Sequence, residues 1–403
     1  MRTGSASIGL VPSVNTVIDA LEYPPPIADA IVGESKTVVF LGTTSHGWVV
    51  LSVGANHAAS RKLLGDESPQ AYEFLTATPG DSAFLMKAAK LPAQSSLQAL
   101  PHLAILNTLR DPNSGFTVRS VSSDPPLARD WPRDGALVAW AWFESGQHDA
   151  AWKSIDAYIS LIRTEDRPRK PYGSMPESVY TSGEPASPHF IVDGRGPARV
   201  LWVADRMLQS REPQARTVWV TTHWKSIEAT GEFLSTWRDA RRGAPLYADD
   251  PLNLSDAETQ DRLFAQHAGI SAAIRLAEAA GEAVPEAWRN RQNELADLCA
   301  WVLQEPRRWV PGGSLVLETE GLPADVLSLL AATCVERLAN PASLDRPTIA
   351  RLGLQRALLA PNDAADADLV LLLLDEPGLN TPKSSDALVS AQALLIALLT
   401  KPN

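Results

Sequence analysis

From Ser95 to the end of the chain, apolar residues return at helical spacing in one segment after another, with almost no alternating pattern between them. That leaves few folds open. Ser95–Arg110 carries Leu97, Leu100, Leu103, Leu106 and Leu109, with Pro101 inside the run, where a helix starts or kinks. The same spacing predicts helices over 134–145, 148–164, 197–210, 214–240, 255–280, 285–304, 324–338, 346–359 and 383–400, with a further short one near 364–374. Gly146 stops one of them, and Gly281 with Pro285 stops another. That makes about ten or eleven helices in roughly 310 residues. Some connections are short, such as Ser145-Gly146-Gln147, and others are long, such as 111–130, 165–195 and 241–254. In an antiparallel array, short and long connections fall on opposite ends, so the long loops gather at one rim and can wall a pocket. No fixed-period repeat runs through the helices, which argues against a consensus solenoid.

Residues 1–92 read differently. Thr37-Val38-Val39-Phe40-Leu41 and Gly47-Trp48-Val49-Val50-Leu51-Ser52-Val53 are short β-branched runs around a turn-like stretch, Gly42–Gly47, which predicts a hairpin. The expectation is a small β-rich N-terminal region over 1–92 and a helical domain over 93–403. The chain has 403 residues, 45% of them hydrophobic and 21% charged, enough to bury a large core. A net charge of −11 without long basic runs argues against nucleic acid or an anionic membrane as partner. No basic segment followed by an apolar run opens the sequence, and Leu369–Leu374 is too short to span a bilayer. A cytoplasmic location is expected.

One stretch concentrates polar chemistry: Arg129-Asp130-Trp131-Pro132-Arg133-Asp134-Gly135-Ala136. Trp131 offers a flat apolar face, Arg133 a fixed fork of donors, and Asp134 a carboxylate where a helix N-terminus favours negative charge. Such a set suits a sugar, which has an apolar C–H face and a rim of hydroxyls. On residue types alone a structural reading has the edge. Asp130 could cap the helix, Pro132 could occupy its first turn, and Arg133 could pair with Asp134.

The order of landmarks resembles the glucoamylase family of glycoside hydrolases and, more broadly, the six-hairpin glycosidases. A helix leads to Asn113-Ser114-Gly115-Phe116-Thr117-Val118-Arg119-Ser120, then to Trp131-Pro132-Arg133-Asp134-Gly135-Ala136. Pro171-Tyr172-Gly173-Ser174 and Ile191-Val192-Asp193-Gly194 follow, and then Asp249-Asp250 ahead of Glu258-Thr259-Gln260. The resemblance covers 95–282 well and the remainder loosely. It implies a mainly α fold, an (α/α)6 toroid, with the N-terminal region as a shortened remnant of the family's β-sandwich. It also implies that Arg133 and Asp134 hold a sugar, that Trp131 lines the pocket, and that Asp250, Tyr172 and Asp193 contribute to binding. The implied partner is an oligosaccharide or small glycoside.

Inverting glycoside hydrolysis needs two carboxyl groups about 6.5–9.5 Å apart, one as acid and one as base. Ala248 stands where the resembled family carries a glutamate, which leaves Asp249 as candidate acid, one methylene shorter. Glu376, in Asp375-Glu376-Pro377-Gly378, is the candidate base; Glu318 and Glu320 are poorer ones. The competing reading is a catalytically impaired protein that binds a saccharide or a partner on the same toroid. As turn residues, Asp249 and Asp250 could also be solvated, and Asp193 could cap a helix.

Eleven of the twelve tryptophans lie between 131 and 309. Trp140, Trp142, Trp202, Trp219, Trp237 and Trp301 are expected in the core and Trp309 at the rim. Cys299 and Cys334 sit in apolar helical contexts, which predicts buried thiols rather than a disulfide framework. The seven histidines show no metal-ligand spacing, and there is no phosphate cradle or Ser/Cys nucleophile motif, so no metal or cofactor is expected.

Overall fold

A computed structural model describes the backbone of 36–42 and 47–53, and most of 102–119, 129–165, 171–186, 194–236, 257–304, 314–319, 322–341, 344–359 and 387–399, with 370 and 374. The chain divides into two compact units, Met1–Leu85 with Ser123–Pro125, and Met86–Ser122 with Pro126–Asn403. In the first unit, β1 (Lys36–Gly42) and β2 (Gly47–Val53) pair antiparallel. Their register runs from Lys36 opposite Val53 to Gly42 opposite Gly47, as the two β-branched runs require.

The second unit is helical. Its described helices are α1 (Pro132–Glu144), α2 (His148–Ser160), α3 (Arg195–Gln209), α4 (Pro213–Thr236), α5 (Ala257–Ala280), α6 (Glu286–Leu303), α7 (Ala324–Leu338), α8 (Arg346–Leu359) and α9 (Ala387–Leu399). Nine expected segments are matched within a turn or so at each end, the usual precision of a boundary. α1 packs on α3 and α9, α3 on α5, and α8 on α9. α2 packs on α1, α4 and α6 on α5, and α7 on α8. α3 is buried along almost its whole length, and α9, Ala-Leu-Val-Ser-Ala-Gln-Ala-Leu-Leu-Ile-Ala-Leu-Leu, is apolar all round, as an inner helix must be. At 13 residues α9 is too short to cross a bilayer, and among the described residues no helix is long and apolar enough to do so.

Between α5 and α8 the wall of the ring includes a non-helical segment, residues 314–319. The Val316 N–H donates to Gln355 Oε1 at 2.7 Å, and Gln355 Nε2 donates back to the Val316 carbonyl at 3.0 Å, which fixes it to α8. On its other side Glu318 pairs with Arg275 of α5 at 2.8 Å. Arg275 also grips Asp205 of α3 at 2.7 Å, and Arg216 of α4 holds the same carboxylate at 3.0 Å. Asp205 is fully buried, so this network carries the electrostatic cost of its own burial only while every member stays paired. Glu318, read from sequence as a spare catalytic carboxylate, belongs to it.

The tryptophans behave largely as core. Trp140, Trp142, Trp202 and Trp219 are buried and Trp301 is partly so; Trp140 meets Trp202 edge to face at 5.2 Å. Trp237 and Trp309 lie outside the described residues. Cys299 and Cys334 are free and buried, and burial raises both thiols above their ordinary pKa.

Candidate functional site

α1 begins at Pro132 with Trp131 as N-cap, and no side chain caps it. Proline suits that place because its missing N–H would have no helical partner there. Asp130 is not the cap. Its backbone pairs in both directions with Val179 at 2.8 Å, which turns the carboxyl group inward. There Asp130 Oδ2 accepts hydrogen bonds from the Tyr158 hydroxyl at 2.6 Å and the Thr117 N–H at 2.7 Å. Burial raises the pKa of Asp130 to about 7 against the opposing effect of those two donors, with Asp134 adding to the rise. Gly135 lies over this cluster: a Cβ at that position would run into the Tyr158 hydroxyl. The first turn of α1 is thereby seated directly on the Asp130–Tyr158 pair.

That seating presents Arg133 and Asp134 to a hollow of about 220 Å³. α3 contributes Arg195 and Arg199, α5 contributes Asp261, and the loop before α1 contributes Arg119. Leu315 of the non-helical segment, Arg351 of α8, and Leu388 and Gln392 of α9 complete the described wall, with Ala257 at the start of α5. Arg119 is fixed by its backbone: its N–H donates to the Arg129 carbonyl at 3.0 Å, and its carbonyl accepts from the Ala387 N–H at 2.8 Å.

Two carboxylates organise the charges. Asp134 has Arg133 Nε at 3.5 Å, an Arg199 terminal nitrogen at 3.7 Å and an Arg119 nitrogen at 3.8 Å. All three distances are longer than a hydrogen bond. Asp261 hydrogen-bonds Arg199 and has Arg195 at 3.6 Å. Arg199, 4% exposed, also donates to the Arg133 carbonyl at 3.4 Å. Among the described residues, three buried polar atoms of the lining find no hydrogen-bond partner: Asp134 Oδ2, Arg199 Nε and Gln392 Oε1. A polar ligand in the hollow would satisfy them.

Nine solved protein chains match this fold. The chain is similar to a bacterial glucoamylase in complex with acarbose, with a TM-score of 0.52 and 14% identity, over 89% of this chain and 63% of that one. It is similar also to a wild-type glycosidase, with a TM-score of 0.52 and 15% identity, over 76% of this chain and 98% of that one. A variant glycosidase in complex with glucose gives a TM-score of 0.50 at 15% identity over the same shares. The fold is glucoamylase-like. The chain spans 63% of the length of the glucoamylase it matches. No protein-family model matches the sequence, and no curated protein matches it.

On this glucoamylase-like toroid, Arg133 and Asp134 stand together in the lining. Trp131 does not join them in the described wall. It is 8% exposed, with the guanidinium of Arg129 over its ring at 4.8 Å and that of Arg119 at 5.8 Å, so it supports an arginine of the lining from behind. Tyr172 also stands off the described wall; burial, then Glu228 and Glu232 of α4, raise its phenol pKa. Glu177 of the same loop pairs with Arg133 at 3.8 Å. Asp193, Asp249, Asp250 and Glu376 lie outside the described residues.

Sequence reasoning missed Arg195, Arg199, Asp261, Arg351 and Gln392. One signal was available. Arg195 and Arg199 lie in the first turns of a helix, where the dipole disfavours cations, and residues kept against that preference invite a functional explanation.

Proposed function

We propose that the chain is a glycoside hydrolase that cleaves α-glucosidic bonds in an oligosaccharide or small glycoside by single displacement with inversion. One observation carries the reading: Arg133 and Asp134, neighbours in the first turn of α1, line a single hollow on a glucoamylase-like toroid. Asp134 Oδ2 and Gln392 Oε1 are buried acceptors suited to sugar hydroxyls, and the guanidiniums of Arg133 and Arg199 are donors. Asp249 is the general acid that protonates the leaving oxygen, and Glu376 is the base that takes a proton from the attacking water on the opposite face. Asp250 and Asp193 complete the binding set.

Ala248 favours a second reading, a saccharide-binding protein with impaired catalysis, because a general acid must reach its oxygen within a hydrogen bond and a shortened side chain loses that reach. A reducing-sugar assay on maltose and longer α-glucosides, beside calorimetry with glucose and acarbose, separates the two. Turnover that disappears in Asp249→Asn supports hydrolysis. Binding without turnover supports the second reading. Asp134→Asn is expected to weaken sugar binding at least about tenfold, and unchanged affinity in that variant removes the site assignment.

A further inference from the structure

Three chain segments that meet at the hollow are tied to one residue that does not line it, Asp130. The first is 117–119, which delivers Arg119. The Thr117 N–H donates to Asp130 Oδ2 at 2.7 Å, and the Arg119 N–H donates to the carbonyl of Arg129 at 3.0 Å. The second is 177–179, which brings Glu177 to Arg133; there Val179 and Asp130 exchange both backbone hydrogen bonds at 2.8 Å. The third is the first turn of α1, which delivers Arg133 and Asp134. A Cβ on Gly135 of that turn would run into the Tyr158 hydroxyl and stand 2.6 Å from Asp130 Oδ1, so the backbone itself rests on the pair. Asp130 and Tyr158 are both fully buried, and a partner lost there is not replaced by bulk water. What these ties hold is a spacing. Asp134 stands 3.5–3.8 Å from nitrogens of Arg133, Arg199 and Arg119, just beyond hydrogen bonding. At such distances a shift of about an ångström decides whether a guanidinium closes on Asp134 or leaves it to a ligand hydroxyl.

We propose that Asp130 is the positioning residue of the ligand site: the hydrogen bonds around its buried carboxyl set the spacing of Arg119, Arg133 and Asp134, and with it the affinity of the hollow for a sugar. The inference rests on the sugar reading above and adds to it a residue that touches no ligand. The proton of Asp130 belongs to the same device, since burial lifts the pKa to about 7. Among the described residues, the titratable groups that bear on this carboxyl are Tyr158 of α2 and Asp134 of α1; the segments around Thr117 and Val179 meet Asp130 through backbone groups. A neutral acid tolerates the loss of one donor. A carboxylate kept from water depends on both, and with one missing it draws neighbouring backbone toward itself. The site therefore becomes more sensitive to the Tyr158 hydroxyl as pH rises through about 7.

Calorimetry on the full chain with glucose and maltose at pH 5 and pH 8, at a temperature where melts show each variant folded, tests this. Tyr158→Phe is expected to weaken sugar binding about fivefold or more at pH 8 and less than about twofold at pH 5. Asp130→Ala leaves both donors without an acceptor and is expected to weaken binding about tenfold or more. Asp130→Asn gives them a carbonyl to bind and is expected to recover most of that loss; in its background Tyr158→Phe is expected to cost the same at both pH values. A pair that serves the fold alone lowers the Tm and leaves the affinity of the folded variants unchanged. That result overturns the inference and leaves the sugar reading standing. Should Tyr158→Phe not fold at pH 8, Asp130→Ala against Asp130→Asn at pH 5 decides, and equal affinity overturns the inference. Failure of the unmodified protein to bind either sugar overturns both.

Discussion

Tyr158 of α2 donates a 2.6 Å hydrogen bond to Asp130, which stands two residues before α1. The pair forms the floor on which the first turn of α1 rests, and it places a carboxyl group with a pKa near 7 beneath the sugar-binding candidates. Its titration therefore enters the stability of the site itself.

The folded pKa of Asp130 is raised from the ordinary carboxylate range to about 7, so the folded state favours the protonated acid. The resulting stabilisation is fully present below about pH 4 and is lost as pH climbs to about 7. Asp130→Asn has no such titration. Its stability relative to the parent is expected to improve by up to about 4 kcal/mol between pH 4 and pH 7.5. Urea melts at a series of pH values measure this, and a difference constant across the range would refute the assignment.

Tyr158→Phe removes one of the two donors to Asp130 Oδ2. At pH 8, where the carboxylate is charged, the loss is expected to cost about 2–3 kcal/mol. At pH 5 the acid is protonated and the cost is expected to fall toward about 1 kcal/mol. Equal costs at the two pH values would show that Asp130 does not ionise in this range.

Arg199→Lys keeps the charge and loses the fork. A single ammonium cannot serve Asp134, Asp261 and the Arg133 carbonyl together. A stability loss of about 1–3 kcal/mol and at least about tenfold weaker sugar affinity are expected, read by thermal melts and calorimetry. Lysine performing as well as arginine would mean that only the charge matters there.

Gln355→Leu strips both partners from Val316, leaving a buried N–H and a buried carbonyl without bonds. The expected cost is about 2–4 kcal/mol. Hydrogen exchange at the Val316 amide is expected to accelerate more than exchange within α3; a uniform change across the helices would place the defect elsewhere.

The helices were legible in the sequence because burial of one face leaves a 3.6-residue rhythm. Gly146, and Gly281 with Pro285, punctuate it where α1 and α5 end. Arg133 and Asp134 were legible because they are adjacent in sequence. Arg195, Arg199 and Asp261 were not: they meet only when α3 packs on α5, and periodicity says which face is apolar without saying what it faces. The start of α1 was misread through Asp130. A residue type that caps helices well also accepts buried hydrogen bonds well, and the pairing with Val179 decided between the two. The six residues Ser-Leu-Val-Leu-Glu-Thr of 314–319 carry too short a pattern to say what they form.

That non-helical segment bears on how such a protein can diverge. Helices that interlock through side-chain ridges tolerate no added residue without shifting register along their whole length. A stave of plain chain, tethered at Val316 to one neighbour and at Glu318 to the other, carries no such register. A change of length there would alter the hollow beside Leu315 with less demand on the register of either flanking helix. In a molecule built mostly of interdigitating cylinders, this is the seam along which pocket width can be re-tailored.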